Sequence, residues 1–114
     1  PVLAGAFGGI AFRVPVACGS LSDFTALLKR TVTKEEVNQA FIDAAKTERW
    51  RGILMVTDDP IVSSDIIGNS HSSIIDLSLT QVVDGDLVKI VAWYDNEFGY
   101  SNRLVEEAIF IGKN

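Results

Sequence analysis

Residues 74–94 read IIDLSLTQVVDGDLVKIVAWY and decide the fold of this 114-residue chain. Asp84-Gly85 divides the stretch into two apolar runs, and both residues tolerate the positive φ that a tight hairpin turn needs. The pattern therefore predicts antiparallel strands over residues 74–83 and 87–94. Because the second strand carries apolar side chains on both faces, we expect it to be central and covered on both sides.

The regions on either side of this hairpin predict the remaining elements. Upstream, Ile10, Phe12 and Val14 alternate with period two and predict a strand over residues 9–16, and further strands are expected over 21–28 and 53–56. Thr33 and Glu36 have capping-box spacing, which predicts a helix from residue 33 to about residue 46. Downstream, residues 95–97 offer caps for a last helix, with Gly112 where a C-terminal cap belongs. This order predicts an α+β fold: a largely antiparallel sheet with helices packed on it, ending in a C-terminal helix.

Composition and charge exclude several classes of protein. The chain has 10 Lys and Arg against 15 Asp and Glu, for a net charge of -5, and no basic cluster, which argues against nucleic acid as the main partner. Its apolar runs are far shorter than the ~18 residues that a membrane helix needs, so no membrane association is expected. One Cys and one His exclude a disulfide framework or a Cys-rich zinc site, and no metal is expected. A reducing, cytoplasmic setting is the default expectation.

Three candidate motifs favour structural interpretations. Residues 5–9 are glycine-rich, but their spacing matches no phosphate-binding loop, so we interpret them as a loop. Cys18 has no activating neighbour in the sequence, which favours an inert thiol. Ser, Asp and His71 within residues 63–76 could form a hydrolase triad, but no nucleophile elbow is present. We favour hydroxyls and an imidazole that hold a loop through backbone hydrogen bonds.

Two features suggest function. Arg13 is expected in mid-strand among apolar neighbours, where its guanidinium must pair with a carboxylate, reach solvent or hold an anion; a structural ion pair and an anion site are equally compatible with the spacing. Residues 93–103, WYDNEFGYSNR, interleave aromatic, amide and carboxylate groups at a strand-to-helix junction. A site could be built there from rigid elements, although a capped helix with aromatic core residues is the simpler alternative.

These motifs together carry a resemblance to a known family. WYDNEFGYSNR resembles the closing signature of phosphorylating glyceraldehyde-3-phosphate dehydrogenases, and AFRVP at residues 11–15 is similar to the family's Arg-Val-Pro strand. VSSD at 62–65 followed by HSS at 71–73 is similar to a third block. The resemblance runs from residue 4 to the end and covers the C-terminal third of a family member.

The resemblance implies roles for four residues. Arg13 matches the arginine that binds the substrate and inorganic phosphates. Asn96 matches the residue that hydrogen-bonds the nicotinamide carboxamide of NAD, Tyr100 an aromatic beside the nicotinamide, and Tyr94 an aromatic lining the catalytic pocket. No catalytic residue is expected within this chain, because the family's nucleophilic cysteine and base histidine belong to stretches that do not match here. Cys18 stands where a polar residue is more usual.

The resemblance also implies a reaction and an assembly. The parent enzyme oxidises glyceraldehyde 3-phosphate with NAD and inorganic phosphate to 1,3-bisphosphoglycerate, in a cytoplasmic homotetramer. Residues 1–96 are expected to be the C-terminal part of the catalytic domain, and residues 97–114 a helix that packs on the NAD-binding domain. We expect the isolated chain to be inactive and to need the remainder of its enzyme as partner. An erythrose-4-phosphate dehydrogenase fragment, and a non-catalytic assembly or binding module, are the alternatives.

Overall fold

The computed structural model of the protein describes residues 4–113, so the outermost residues of the two expected units, 1–3 and 114, lie outside the described part. It is an α+β structure, as predicted, with a five-stranded mixed sheet. In chain order the elements are β1 (Ser20–Leu27), α1 (Lys34–Lys46), β2 (Leu54–Thr57), β3 (Ser73–Asp76), β4 (Gln81–Val83), β5 (Leu87–Tyr94) and α2 (Phe98–Gly112). Short 3-10 turns occupy Ser63–Ile66 and Leu77–Leu79.

Strand β5 is the centre of the sheet, as its two apolar faces predicted. The strand order is β1-β5-β3-β2, and β4 also pairs with β5. All pairings of β5 are antiparallel, whereas β2 and β3 are parallel. Val88 and Val91 of β5 and Ile74 and Ile75 of β3 are buried and form the middle of the core. The middle of the core therefore lies within residues 74–94, the stretch whose apolar runs predicted the sheet.

The hairpin between β4 and β5 forms at the predicted residues. Asp84 has φ 50° and Gly85 has φ 80°, the left-handed values that this turn requires. A Cβ atom on Gly85 would lie 2.5 Å from Cγ2 of Thr31, so the position needs glycine for space as well as for conformation. The turn also accepts a hydrogen bond from the Val32 amide at the Gly85 carbonyl.

Two strand predictions need correction. The strand expected over 74–83 is divided into β3 and β4, because the Asp76 carboxylate accepts the Ser78 and Leu79 amides and turns the chain there. The strand expected over 9–16 is absent: these residues are exposed and pair with no strand of the described part of the chain. Alternation of side chains indicates two faces, but a strand also needs a neighbour for its backbone hydrogen bonds.

The two helices differ in how far their apolar side chains are covered by the rest of the fold. Helix α1 begins with the predicted capping box, in which the Glu36 amide donates to Thr33 Oγ1 and the Thr33 amide donates to Glu36 Oε2. It packs beside β2, where Phe41, Ala44 and Trp50 line an apolar cleft of about 310 Å³. Helix α2 includes Gly112, one residue further than expected, and exposes most of its apolar side chains. Within residues 4–113, neither helix has the length and hydropathy to cross a bilayer.

Candidate functional site

A cleft of about 250 Å³ lies where β5 ends and α2 begins. It gathers three of the residues singled out by the resemblance, Tyr94, Asn96 and Tyr100. The remaining lining residues are Ser72, Asp95, Gly99 and Arg103. Strand β5 ends at Tyr94 and α2 starts at Phe98, so two rigid elements position these side chains.

Asp95 is the polar centre of this junction. Its side chain is buried, with Oδ1 accepting the amides of Glu97 at 3.0 Å and Phe98 at 2.8 Å. Its Oδ2 accepts the Gly68 amide at 2.9 Å. The hydrogen bond from the Phe98 amide is the main cause that lowers the pKa of the Asp95 carboxyl, and the one from the Gly68 amide comes next. Burial acts in the opposite direction. Asp95, rather than Glu97, therefore caps α2 and keeps its negative charge.

Asn96 presents its carboxamide at the mouth of the cleft. Its Nδ2 donates to Ser20 Oγ at 2.6 Å, and the residue is otherwise exposed. One N–H and the carbonyl Oδ1 remain available, the donor and acceptor pair that another amide group would match. Tyr100 lies one helical turn further on with 67% of its surface exposed, so its ring offers a face to a planar ligand. Tyr94 is half-buried, consistent with a residue that lines a pocket.

The cleft also includes Gly99 and Arg103, for which the sequence predicted no individual role. Arg103 Nη1 donates to the Gly52 carbonyl at 3.0 Å and to Ser72 Oγ at 3.4 Å, and Nη2 pairs with Glu106 at 2.7 Å. A Cβ on Gly99 would lie 3.0 Å from the His71 carbonyl oxygen. These contacts hold α2 against Gly52, just before β2, and against residues 71–72, just before β3. Gly99 and Arg103 are four residues apart, which places them on the same face of a helix, and that spacing was the signal in the sequence. The groups that they contact are visible only in the folded structure.

Arg13 is not brought to this cleft. It lies in an exposed segment without regular secondary structure, and within residues 4–113 it forms no ion pair. Of the outcomes left open by the sequence, an ion pair inside the described chain is therefore not realised. Its phosphate-binding role stays a prediction.

The thiol of Cys18 contacts the start of α2. Its Sγ donates to Glu97 Oε2 at 3.3 Å. That hydrogen bond is the main cause that raises the pKa of the Cys18 thiol, and the negative charge of Asp95 adds to it. A raised pKa disfavours the thiolate that a nucleophile needs. Ligand atoms of Cys18, Asp95 and Glu97 lie within 4.8 Å of one another, but both oxygens of Asp95 already accept backbone amides, so the trio fits a hydrogen-bonded junction better than a metal site.

His71 and the neighbouring polar residues hold loops, the interpretation that the sequence favoured. Asn69 Oδ1 accepts the backbone amide of His71 at 2.9 Å and lies 2.9 Å from the ring atom Nδ1 of the same residue. Asp65 accepts the Val62 amide, and Asp76 accepts Trp93 Nε1 as well as the Ser78 amide and hydroxyl. Because each carboxylate has its own partners, these residues do not form a Ser-His-Asp triad.

Comparison with known proteins identifies a family for the chain. Residues 1–96 match the family described as glyceraldehyde 3-phosphate dehydrogenase, C-terminal domain. A glyceraldehyde-3-phosphate dehydrogenase of Streptomyces coelicolor is 54% identical over 112 residues, 98% of this chain and 33% of that protein. The glyceraldehyde-3-phosphate dehydrogenase of Borreliella burgdorferi is 53% identical over 95% of this chain and 32% of that protein. The one of Mycobacterium avium is 51% identical over 100% of this chain and 33% of that protein.

The chain thus spans about a third of the length of the relatives it matches. The family match includes Arg13, Tyr94 and Asn96, and the similarity to the Mycobacterium avium relative covers the whole chain. The chain therefore belongs to the glyceraldehyde 3-phosphate dehydrogenase C-terminal domain family.

Proposed function

We propose that this chain is the C-terminal part of the catalytic domain of a glycolytic dehydrogenase. The enzyme converts glyceraldehyde 3-phosphate, NAD and inorganic phosphate into 1,3-bisphosphoglycerate, reduced NAD and a proton. The observation that carries the proposal is the cleft at the β5–α2 junction, which gathers Tyr94, Asn96 and Tyr100 in a member of this family.

The cleft residues fit the nicotinamide end of NAD. One N–H of the Asn96 amide donates to Ser20. Its other N–H and its carbonyl oxygen have no hydrogen-bond partner among the described residues, and together they complement a carboxamide. The exposed ring of Tyr100 can pack against a planar heterocycle, and Tyr94 lines the pocket beside it. When bound, NAD supplies the hydride acceptor. The role of this chain is to fix the orientation of the ring through the Asn96 amide.

Arg13 supplies the charge that a phosphate dianion needs. Its guanidinium is exposed and has no carboxylate partner among the described residues, so its planar fork is available to an anion. Charge-assisted, bidentate hydrogen bonds make arginine well suited to phosphate. We infer that the rest of the enzyme brings the segment around Arg13 to the substrate.

The reacting groups come from outside this chain. Acyl transfer through a thioester needs a thiolate and a positioned base. The Cys18 thiol donates a hydrogen bond to Glu97, and its raised pKa disfavours the thiolate. The resemblance also assigns the nucleophile and the base to stretches that do not match here, so we give neither role to Cys18 or His71. We therefore propose that the isolated chain has no dehydrogenase activity.

Exposed apolar surface supports docking and assembly. Helix α2 exposes Leu104, Val105 and Ile109, each by at least half of its surface, which supports packing of residues 97–114 on an NAD-binding domain. At the end of the sheet, Leu27, Leu87 and Val83 lie side by side in register and are also exposed. This row is a candidate part of the interface in a cytoplasmic homotetramer.

The proposal is tested in a complete enzyme. A chimeric enzyme carries this chain in place of the 112 residues that it matches in the Streptomyces coelicolor relative. We expect it to reduce NAD with glyceraldehyde 3-phosphate and phosphate, while the isolated chain shows neither turnover nor micromolar NAD binding by calorimetry.

The substrate is tested by offering erythrose 4-phosphate to the same enzyme. A higher kcat/KM for that sugar would favour an erythrose-4-phosphate dehydrogenase. A folded chimeric enzyme without activity would contradict the proposal and favour a non-catalytic module. Turnover by the isolated chain would contradict the assignment of the reacting groups.

A further inference from the structure

The backbone of Asn96 is enclosed by a turn that its neighbour Asp95 closes. Asp95 Oδ1 accepts the amide of Glu97 and that of Phe98, the two residues that follow Asn96. Such an Asx turn fixes the φ and ψ angles of the residue inside it, and with them the direction of its Cβ. The direction in which the Asn96 side chain leaves the backbone is therefore set by Asp95.

The second oxygen of Asp95 ties this turn to a distant loop. Oδ2 accepts the amide of Gly68, which has φ 80° and lies 27 residues away in sequence. Gly68 follows the 3-10 turn Ser63–Ile66, whose Ile66 is buried in the core. One buried carboxylate thus fixes the junction both locally and against the rest of the fold.

We propose that Asp95 is a positioning residue for Asn96, holding the amide of Asn96 in the orientation that receives the nicotinamide. The inference rests on the proposed function, because it takes Asn96 as the contact to NAD. Although Asp95 borders the cleft, both of its carboxylate oxygens accept backbone amides, so it acts through Asn96 and not on the cofactor.

The chain offers a matched control in Asp76. This residue is also buried, at 2% exposure against 4% for Asp95. Its carboxylate likewise accepts two amides of a turn and one group from a distant element, Trp93 Nε1, and it accepts the Ser78 hydroxyl in addition. Asp76 does not line the cleft. Loss of either carboxylate should lower the stability of the fold. A change in the KM for NAD that occurs only at Asp95 therefore indicates a positioning role.

The experiment compares Asp95→Asn, Asp76→Asn and Asn96→Ala in the chimeric enzyme. Asparagine keeps one carbonyl oxygen for the turn but sets an NH₂ group against the remaining donor, Gly68 N–H or Trp93 Nε1–H. We expect Asp95→Asn to raise the KM for NAD about tenfold while the KM for glyceraldehyde 3-phosphate changes less than about twofold. Asp76→Asn should lower the melting temperature comparably and leave both KM values within about twofold.

Three outcomes decide the matter. The expected split between the two Asp variants supports positioning by Asp95. If Asn96→Ala raises the KM for NAD and the two Asp variants are equal, Asp95 is only structural and the inference is overturned while the proposed function stands. If Asn96→Ala has no effect, the proposed role of Asn96 fails and the inference with it. Should Asp95→Asn not fold, Asp95→Ser is compared with Asp76→Ser, because each hydroxyl can still accept a turn amide while the contact with the distant element is lost.

Discussion

The β5–α2 junction and the segment around Arg13 are both assigned to one site, yet their own chain stabilises them very differently. At the junction, Asp95 accepts two local amides and the distant amide of Gly68. Arg103 donates to two distant residues, Gly52 and Ser72. Residues 7–17 are exposed throughout, with Phe7, Ile10 and Phe12 each more than 70% exposed. A site can therefore depend partly on contacts within one chain and partly on contacts that another segment must supply.

The largest effect is expected where the chain itself makes the fewest contacts. Arg13→Leu in the chimeric enzyme should lower kcat/KM by roughly a hundredfold or more, because a phosphate dianion loses a charge-assisted fork. The same change should leave the thermal unfolding of the isolated chain unaltered, since Arg13 has no ion-pair partner among the described residues. Steady-state kinetics and circular dichroism measure the two quantities.

Lys29 provides a control for the loss of one positive charge. It is exposed and lies outside the cleft and outside the segment around Arg13. Lys29→Leu should keep kcat/KM near that of the parent. Near-parental kinetics for Arg13→Leu as well would remove Arg13 from the phosphate site.

A smaller effect is expected at the ordered junction. Asn96→Ala removes the amide but leaves Asp95 and its backbone hydrogen bonds in place, so NAD binding should weaken by roughly 1–3 kcal/mol while the fold persists. Isothermal titration of the chimeric enzyme with NAD measures this directly. Unchanged affinity together with a lower melting temperature would show that Asn96 serves only the junction.

Acid should loosen the junction before the core. The pKa of Asp95 is lowered in the folded chain, so its stabilising contribution is present above the pKa of about 3.9 for an unfolded Asp and is lost as pH falls through the folded value. Protection factors of the Gly68 and Phe98 amides, measured by NMR hydrogen exchange on the 114-residue chain, should therefore fall in this acid range.

The amide of Val91, in the middle of β5, serves as the reference for this acid titration, because no carboxylate side chain accepts it. Its protection should persist to lower pH than that of Gly68. Equal loss at all three amides would mean that the chain opens as one unit and that Asp95 has no local effect.

The parts of the fold that the sequence predicts correctly are those that depend on residues near one another in the chain. The Asp84-Gly85 hairpin, the capping box at Thr33 and the central position of β5 follow from local patterns, because each depends on residues near in sequence. The break at residues 77–79 was missed, because alternating apolar residues there gave no indication that Asp76 would accept the amides beyond it. The strand expected at 9–16 was wrong for the opposite reason, since its pattern is clear but no described strand pairs with it.

The candidate site divides in the same way. Tyr94, Asn96 and Tyr100 lie within seven residues, so a strand followed by a helix brings them to one cleft. The contacts of Arg103 with Gly52 and Ser72 join segments 31 to 51 residues apart, and no local pattern reports them. The sequence therefore indicated three of the residues that line the cleft, and the fold was needed to show how the junction around them is held.

The smallest effect is expected at Cys18, which links the two regions by its single hydrogen bond to Glu97. Cys18→Ser keeps a donor of similar size for the Glu97 carboxylate, so kcat/KM of the chimeric enzyme should stay within about twofold of the parent. Cys18→Ala removes the donor, and because Glu97 is exposed to water, the melting temperature of the chain should hardly change. The measurement is a single-turnover assay of acyl-enzyme formation beside the steady-state rate. Abolished acyl-enzyme in Cys18→Ser would make this thiol the nucleophile, despite the carboxylate beside it that opposes ionisation.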